Sequence, residues 1–335
     1  MKAHRYVFLL LAVSLLTGCE SALVRQVNYY DRVGDTASAR QYLETELQRN
    51  PDNSEARYWL GKVLFRDMVF AEGRQAFDRV EQQTARFSES IQFTLESTYR
   101  EHMQKGVDAF ENRDASLAVE HLTYATQIRP EYNDGHRLLG YAKTQTGQLT
   151  EATLSYRQAV MLDPDDFESW HNMSDIAFVN QDFESARNYA LEALKIDPVH
   201  PSALRRLAHA HMHLMENEEA TLIFEQLLAL ETGQEDLRDY AYFLFNTGAL
   251  EASLPHLETL AAVPEPPVEL LKTLSEAYAG LQFFKKVIGV NEQILTRMPD
   301  DRAAIGNLIA AHERLGQFEQ AKTWQAKLSK LGGEM

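Results

Sequence analysis

The residues best equipped for chemistry lie in one short run, His209-Ala210-His211-Met212-His213. On a helix, His209 and His213 share a face at i, i+4 spacing, which would offer two imidazoles to a metal ion. His211 points elsewhere, and no third ligand stands beside the pair in the sequence. The plainer reading is polar surface residues with one core histidine. Other reactive constellations are missing: there is no His-Glu-x-x-His motif, no phosphate-cradling glycine-rich loop and no Gly-x-Ser-x-Gly elbow. The 49 acidic residues read as solvated surface that keeps the chain soluble. The sequence therefore points away from an enzyme and predicts no metal and no cofactor.

The chain's single cysteine has a different use. Met1-Lys2-Ala3-His4-Arg5 gives a basic start, an apolar run follows from Tyr6 to Leu16, and Thr17-Gly18 precede Cys19. That order describes a secretory leader, and the run is shorter than the roughly 20 apolar residues of a membrane-spanning helix. Leu16-Thr17-Gly18-Cys19 resembles the lipobox of bacterial lipoproteins, which implies cleavage of residues 1–18 and acylation of Cys19. The alternative is an uncleaved anchor helix with an incidental cysteine. Several acyl chains hold a protein far better than one, at about 0.8 kcal/mol per buried methylene. The residue after the cysteine is Glu20; in that family's sorting rule an Asp there retains a lipoprotein at the inner membrane, so the outer membrane facing the periplasm is expected. Loss of Lys2 and Arg5 with the leader takes the net charge from −16 to −18. Such a surface disfavours nucleic acid and anionic headgroups, leaving the acyl anchor as the expected membrane contact.

What positions the remaining residues is a repeat. Pro130, Pro164 and Pro198 are spaced 34 residues apart, within Ile-Arg-Pro, Leu-Asp-Pro and Ile-Asp-Pro. Units starting at 20, 54, 99, 133, 167, 201, 234, 268 and 302 align two columns of small residues. The first reads Gly61, Gly106, Gly140, Ser174, Ala208, Ala241 and Ser275; the second reads Ala39, Gly73, Ala118, Ala152, Ala186, Ala220, Ser253 and Ala321. Small residues are needed where paired helices approach closely. Proline cannot continue a helix, and the closing column reads Pro51, Ala85, Pro130, Pro164, Pro198, Thr232, Glu265 and Pro299. Turn residues recur at Gly34-Asp35, Gly147-Gln148, Gln181-Asp182, Gly248 and Gly316-Gln317. This period and these columns resemble the tetratricopeptide repeat (TPR), which implies an all-α fold: a right-handed superhelical solenoid of about nine helix-turn-helix repeats, stabilised by stacking of neighbours.

Two departures mark the organisation. Eleven extra residues, about 88–98, precede the third unit; they contain no Pro or Gly and predict a lengthened first helix. The expected layout is a leader over 1–18, a repeat pair over 19–87, a helical insertion over 88–98 and a main array over 99–335. The other departure is Pro264-Glu265-Pro266-Pro267, a rigid connector where single prolines stand elsewhere.

In the family the first helix of each repeat lines a concave groove through its fifth, ninth and twelfth positions. Carried onto this sequence, the fifth position gives Arg137, His171, Arg205, Arg238 and Lys272. The ninth gives Tyr141, Asp175, His209, Tyr242 and Glu276, the twelfth gives Phe178, Met212 and Phe245, and Arg206 and His213 lie close by. The expectation is a basic stripe beside exposed aromatics that binds an extended, acidic or carboxylate-bearing protein segment, since Arg recognises carboxylates with two parallel hydrogen bonds. The competing reading is that Asp175, Asp239 and Glu276 neutralise the stripe. The resemblance as a whole implies a lipid-anchored adaptor that assembles an envelope complex such as a pilus, a secretion system or a polysaccharide exporter. A glycan-binding module using the aromatics, or a helper subunit of a glycosyltransferase or murein hydrolase, is the alternative.

Overall fold

The computed structural model describes residues 21–230 and 233–332; the leader and Cys19, on which the anchoring expectation rests, lie outside the described residues. These residues form 18 helices and no strands. The helices pair into nine hairpins: α1 (Ala22–Val33) with α2 (Thr36–Arg49), α3 (Ser54–Arg66) with α4 (Phe70–Gln83), α5 (Ser88–Glu111) with α6 (Ala115–Ile128), and α7 (Asn133–Gln145) with α8 (Leu149–Leu162). They continue with α9 (Phe167–Val179) and α10 (Phe183–Ile196), α11 (Pro201–His213) and α12 (Asn217–Ala229), and α13 (Gln234–Asn246) and α14 (Leu250–Ala261). The last two pairs are α15 (Val268–Gly280) with α16 (Phe284–Arg297), and α17 (Arg302–Arg314) with α18 (Phe318–Gly332). The chain forms two compact units that divide after Pro164. The first holds α1–α8 and the second α9–α18.

Side-chain caps explain many of the starts. Asp35, Asn53 and Asp114 accept from the backbone N–H three residues on in the first unit, and Asp166, Asp182 and Asp301 do so in the second. The second small column is buried throughout, with Ala118, Ala152, Ala186, Ala220 and Ser253 all at 0% exposure. Gly61, Gly106 and Gly140 of the first column face the position sixteen residues later on the hairpin's second helix. A Cβ on Gly61, Gly106 or Gly140 would meet Phe77, Leu122 or Tyr156 within 3 Å. At Ser275 the same register is polar: Asn291 Nδ2 donates to Ser275 Oγ at 2.6 Å.

All nine hairpins turn through a left-handed residue at one place. Gly34, Gly147, Gly248 and Gly316 supply it in four, but Met68, Arg113, Gln181, Met215 and Gln282 adopt φ near +60° in the other five. Sequence reading found the glycine turns and Gln181 and missed the remaining four, where no glycine announces the geometry. Met215 is 84% exposed, so its side chain contributes little packing in return for the strain. Met215→Gly should therefore raise stability by about 0.5–1 kcal/mol, while Met215→Ala, which keeps a Cβ, should not. Thermal unfolding of the two variants side by side checks this; equal midpoints would show that the turn is unstrained.

The lengthened helix is α5, with 24 residues against 12 to 15 in the others. Its added turns are packed rather than free. Ile91 and Leu95 are fully buried in one cluster with Phe77, Val80 and Ile128, so the core of the first unit runs through residues 88–98 without a break. The division between compact units falls after Pro164 rather than at the insertion.

Candidate functional site

In the first unit, Arg137 and Tyr141 stand on α7. The Arg137 guanidinium donates to Asp134 Oδ1 at 2.5 Å, and Tyr141, 43% exposed, sits edge-on to Phe110 at 5.2 Å.

The other predicted residues lie in the second unit, on α9, α11, α13 and α15, where ion pairs link one first helix to the next. From α11, Arg206 Nε reaches Asp175 Oδ1 on α9 at 2.7 Å, while Arg205 grips Asp236 on α13 through Nε and Nη2 at 2.5 and 2.9 Å. His209 Nε2 lies 3.3 Å from Asp239 Oδ2, and His171 Nε2 lies 3.8 Å from Asp175 Oδ2. Lys272 on α15 is held between Glu269 and Asp301 at 3.3 and 3.2 Å. Only Arg238 is loosely held, with Glu235 at 3.6 Å and Asp239 at 3.8 Å.

These contacts correct the expected basic stripe. The predicted residues do fall together on successive first helices, but Arg205, Arg206, Arg238 and Lys272 are outnumbered by Asp175, Glu235, Asp236, Asp239, Glu269 and Asp301. The face is over-compensated with acid. Asp175 and Asp239 were visible as neutralising partners; Asp236 and Asp301 were not, and they stand 31 and 29 residues beyond the bases they meet. A recurring acid at the start of first helices was the available signal. The pairs also set the charge states. Hydrogen bonding to Asp236 holds the Arg205 guanidinium above its usual pKa, and Asp301 followed by Glu269 does the same for the Lys272 ammonium. Burial pushes His209 and His171 below the ordinary histidine value, against the pull of Asp239 and Asp175.

The aromatics are less available than expected. Phe178 carries the Arg206 guanidinium over its ring at 4.2 Å and the edge of His213 at 5.4 Å. Tyr242 and Phe245 are partly buried against the cluster that includes Leu257, Leu270 and Leu274. His213 stacks flat on Phe183 at 4.2 Å, so its ring is engaged away from His209, and no cluster of three candidate metal ligands occurs among the described residues. His211, the expected core histidine, is buried and bonded through Nδ1 to Glu216 at 2.6 Å.

One opening remains. Arg238 and Tyr242 border a hollow of about 540 Å³ floored by Leu260, Val263, Pro267 and Leu270, with Gln234, Glu235 and Glu269 at the rim. The proline connector enters the lining through Val263 and Pro267, and Arg297 Nη1 fixes it by donating to the Pro266 carbonyl at 2.6 Å.

Comparison with known proteins agrees with the repeat. The sequence model of the tetratricopeptide repeat matches residues 24–86, 103–167 and 171–235. The tetratricopeptide repeat-containing protein trd-1 of Caenorhabditis elegans is 21% identical over 211 residues, which is 63% of this chain and 25% of that protein. This chain thus spans only about a quarter of that relative's length. Among solved structures, a tetratricopeptide repeat protein from Parabacteroides merdae shares 18% identity over 71% of this chain and 94% of its own, with a TM-score of 0.49. YrrB, described as a TPR protein with an unusual peptide-binding site, shares 17% over 56% of this chain and 98% of its own, with a TM-score of 0.50. Pseudomonas aeruginosa pilF shares 16% over 70% of this chain and 99% of its own, with a TM-score of 0.47. At these identities the solved structures speak to fold alone. With three matched segments covering more than half of its length, and nine helical hairpins in the same frame, the chain belongs to the tetratricopeptide repeat family.

Proposed function

We propose that this protein is a lipid-anchored, non-enzymatic adaptor of the bacterial cell envelope. Cys19 carries the acyl anchor, the outer membrane facing the periplasm is its location, and its repeats hold protein partners during assembly of an envelope complex such as a pilus, secretion or polysaccharide-export system. The TPR fold supports a protein-interaction scaffold; the leader and its single cysteine support the anchor. The partner contributes an extended segment, with an apolar side chain in the hollow of the second unit and a carboxylate on Arg238.

The observation carrying this reading is that, among the predicted arginines and lysine, Arg238 alone has no carboxylate closer than 3.6 Å, and it borders the hollow. The remaining cations already serve internal pairs, so a partner competing for them must displace a fixed carboxylate. Arg238 offers a charge-assisted contact without that exchange.

The test is crosslinking and capture from native membranes, comparing wild type with Arg238→Glu and with Val263→Asn, a half-buried residue of the hollow's lining. Both variants should lose the same partner while keeping the wild-type helical signal, and added salt should weaken capture through Arg238. An unchanged partner set in both would remove the hollow from the account. Loss that follows Tyr141, Phe178 and Phe245 instead, with no response to salt, would point to a glycan.

A further inference from the structure

The outward face of α1 stands apart from the rest of the molecule in its chemistry. Leu23 and Val27 face inward and are buried with Ala39, Leu43, Ala56 and Val63. The opposite arc, following the 3.6-residue period, carries Arg25, Gln26, Tyr29, Arg32 and Val33. Tyr29 and Val33 are each 58% exposed. Arg25 and Arg32 are exposed, and their side chains make no ion pair or hydrogen bond among the described residues. The helix's one carboxylate, Asp31, points to another side and pairs with Arg66.

The charge of the chain is divided in the same sense. Residues 19–87 hold 10 basic and 11 acidic side chains, whereas residues 88–335 hold 21 and 38. Nearly all of the negative charge therefore lies beyond the first two hairpins. In sequence, Cys19 stands three residues before Ala22, the first residue of α1.

We infer that this face of α1 rests on an anionic lipid surface. Two unpaired guanidinium groups meet headgroup phosphates. A tyrosine ring between them sits at headgroup depth, and Val33 adds apolar contact at the acyl boundary. A second copy of the chain fits the face less well. At 1.5 Å per residue the helix is roughly 18 Å long, so one face offers a footprint of about 200 Å², against about 800 Å² per partner in a stable protein interface. Two like-charged arginines would also oppose each other across a two-fold contact. The inference rests on the acylation of Cys19 proposed above, because the tether is what holds so small a patch at the surface.

The experiment uses the full acylated chain with Gln26→Cys, which supplies the only free thiol once Cys19 is acylated. A nitroxide is attached there, and Lys322→Cys on α18 provides a control site. The protein is placed in vesicles of phosphatidylcholine alone or mixed with phosphatidylglycerol. With anionic lipid, the label at 26 should be shielded from a water-soluble relaxation agent and open to oxygen, while the label at 322 stays in water. Arg25→Gln with Arg32→Gln should lower the ratio of surface-bound to free α1 roughly thirtyfold without releasing the protein from the vesicles. A label at 26 as exposed to water as that at 322, in a chain still anchored, overturns the inference and leaves the anchor standing. Spin–spin broadening that grows with surface density identifies a second copy as the occupant and overturns it too. A chain that fails to join vesicles and keeps a reactive Cys19 overturns the anchor and the inference together.

Discussion

Arg205→Ala is expected to destabilise the second unit by about 2 kcal/mol rather than yield a folded protein that has merely lost a binding contact. Asp236 is 2% exposed and takes both hydrogen bonds of the Arg205 guanidinium. Removing one member of a buried pair costs about 3–5 kcal/mol, because the remaining charge stays out of water. Two features reduce that figure here. The Arg205 side chain is 37% exposed, so water screens part of the interaction, and Asp236 lies in the first turn of α13, where the helix N-terminus favours a negative charge. Adding Asp236→Asn to Arg205→Ala should recover part of the loss by removing the buried charge. Arg238→Ala, by contrast, should stay within about 0.5 kcal/mol of wild type. Denaturation midpoints for the four chains decide the matter: a wild-type midpoint for Arg205→Ala would show that the pair does not stabilise the fold. Two arginines of one sequence column therefore have separate roles, one joining repeats and the other open to a partner.

The same contrast shows what the sequence could and could not reveal. The period is a local signal, so hairpin positions, small columns and closing prolines were all legible before any coordinates. Which side chains line successive first helices was legible too, because the register repeats. Their charge was not. The neutralising acids at Asp236 and Asp301 lie 31 and 29 residues along the chain from Arg205 and Lys272, and only the stacking brings them within 2.5 and 3.2 Å. The rings of Phe178 and His213 were read as exposed groove residues, but Arg206 and Phe183 cover them. The proline connector was recognisable as rigid, yet the hollow it borders depends on how far α13, α14 and α15 are spread, which no spacing rule states. Turns at Met68, Arg113, Met215 and Gln282 escaped for a related reason: the backbone there is imposed by the hairpin and not by the residue's own preference.

Packing behind the first small column gives the other large effect. Gly61→Ala is expected to cost about 2–3 kcal/mol. The added Cβ would lie 2.5 Å from Phe77 Cε1 and 2.7 Å from Cδ1. Phe77 is fully buried, with Phe65 at 5.1 Å and Tyr58 at 6.1 Å between ring centroids, so the ring cannot turn away without moving its neighbours. Gly140→Ala meets Tyr156 at 2.8 Å and should behave alike, whereas Gly106→Ala meets Leu122, whose branched end can shift further. Gly289 and Gly306 provide the control, since a Cβ at either meets nothing within 4 Å. Alanine there should stabilise α16 or α17 by about 1 kcal/mol through helix propensity alone. The register does admit alanine when its partner is placed to suit: Ala208 and Phe224, also sixteen residues apart, are both at 0% exposure in one cluster. Gly61→Ala combined with Phe77→Leu should therefore recover part of the loss. If Gly61→Ala and Gly306→Ala shift the denaturation midpoint in the same direction, close approach of the paired helices is not what fixes glycine at position 61.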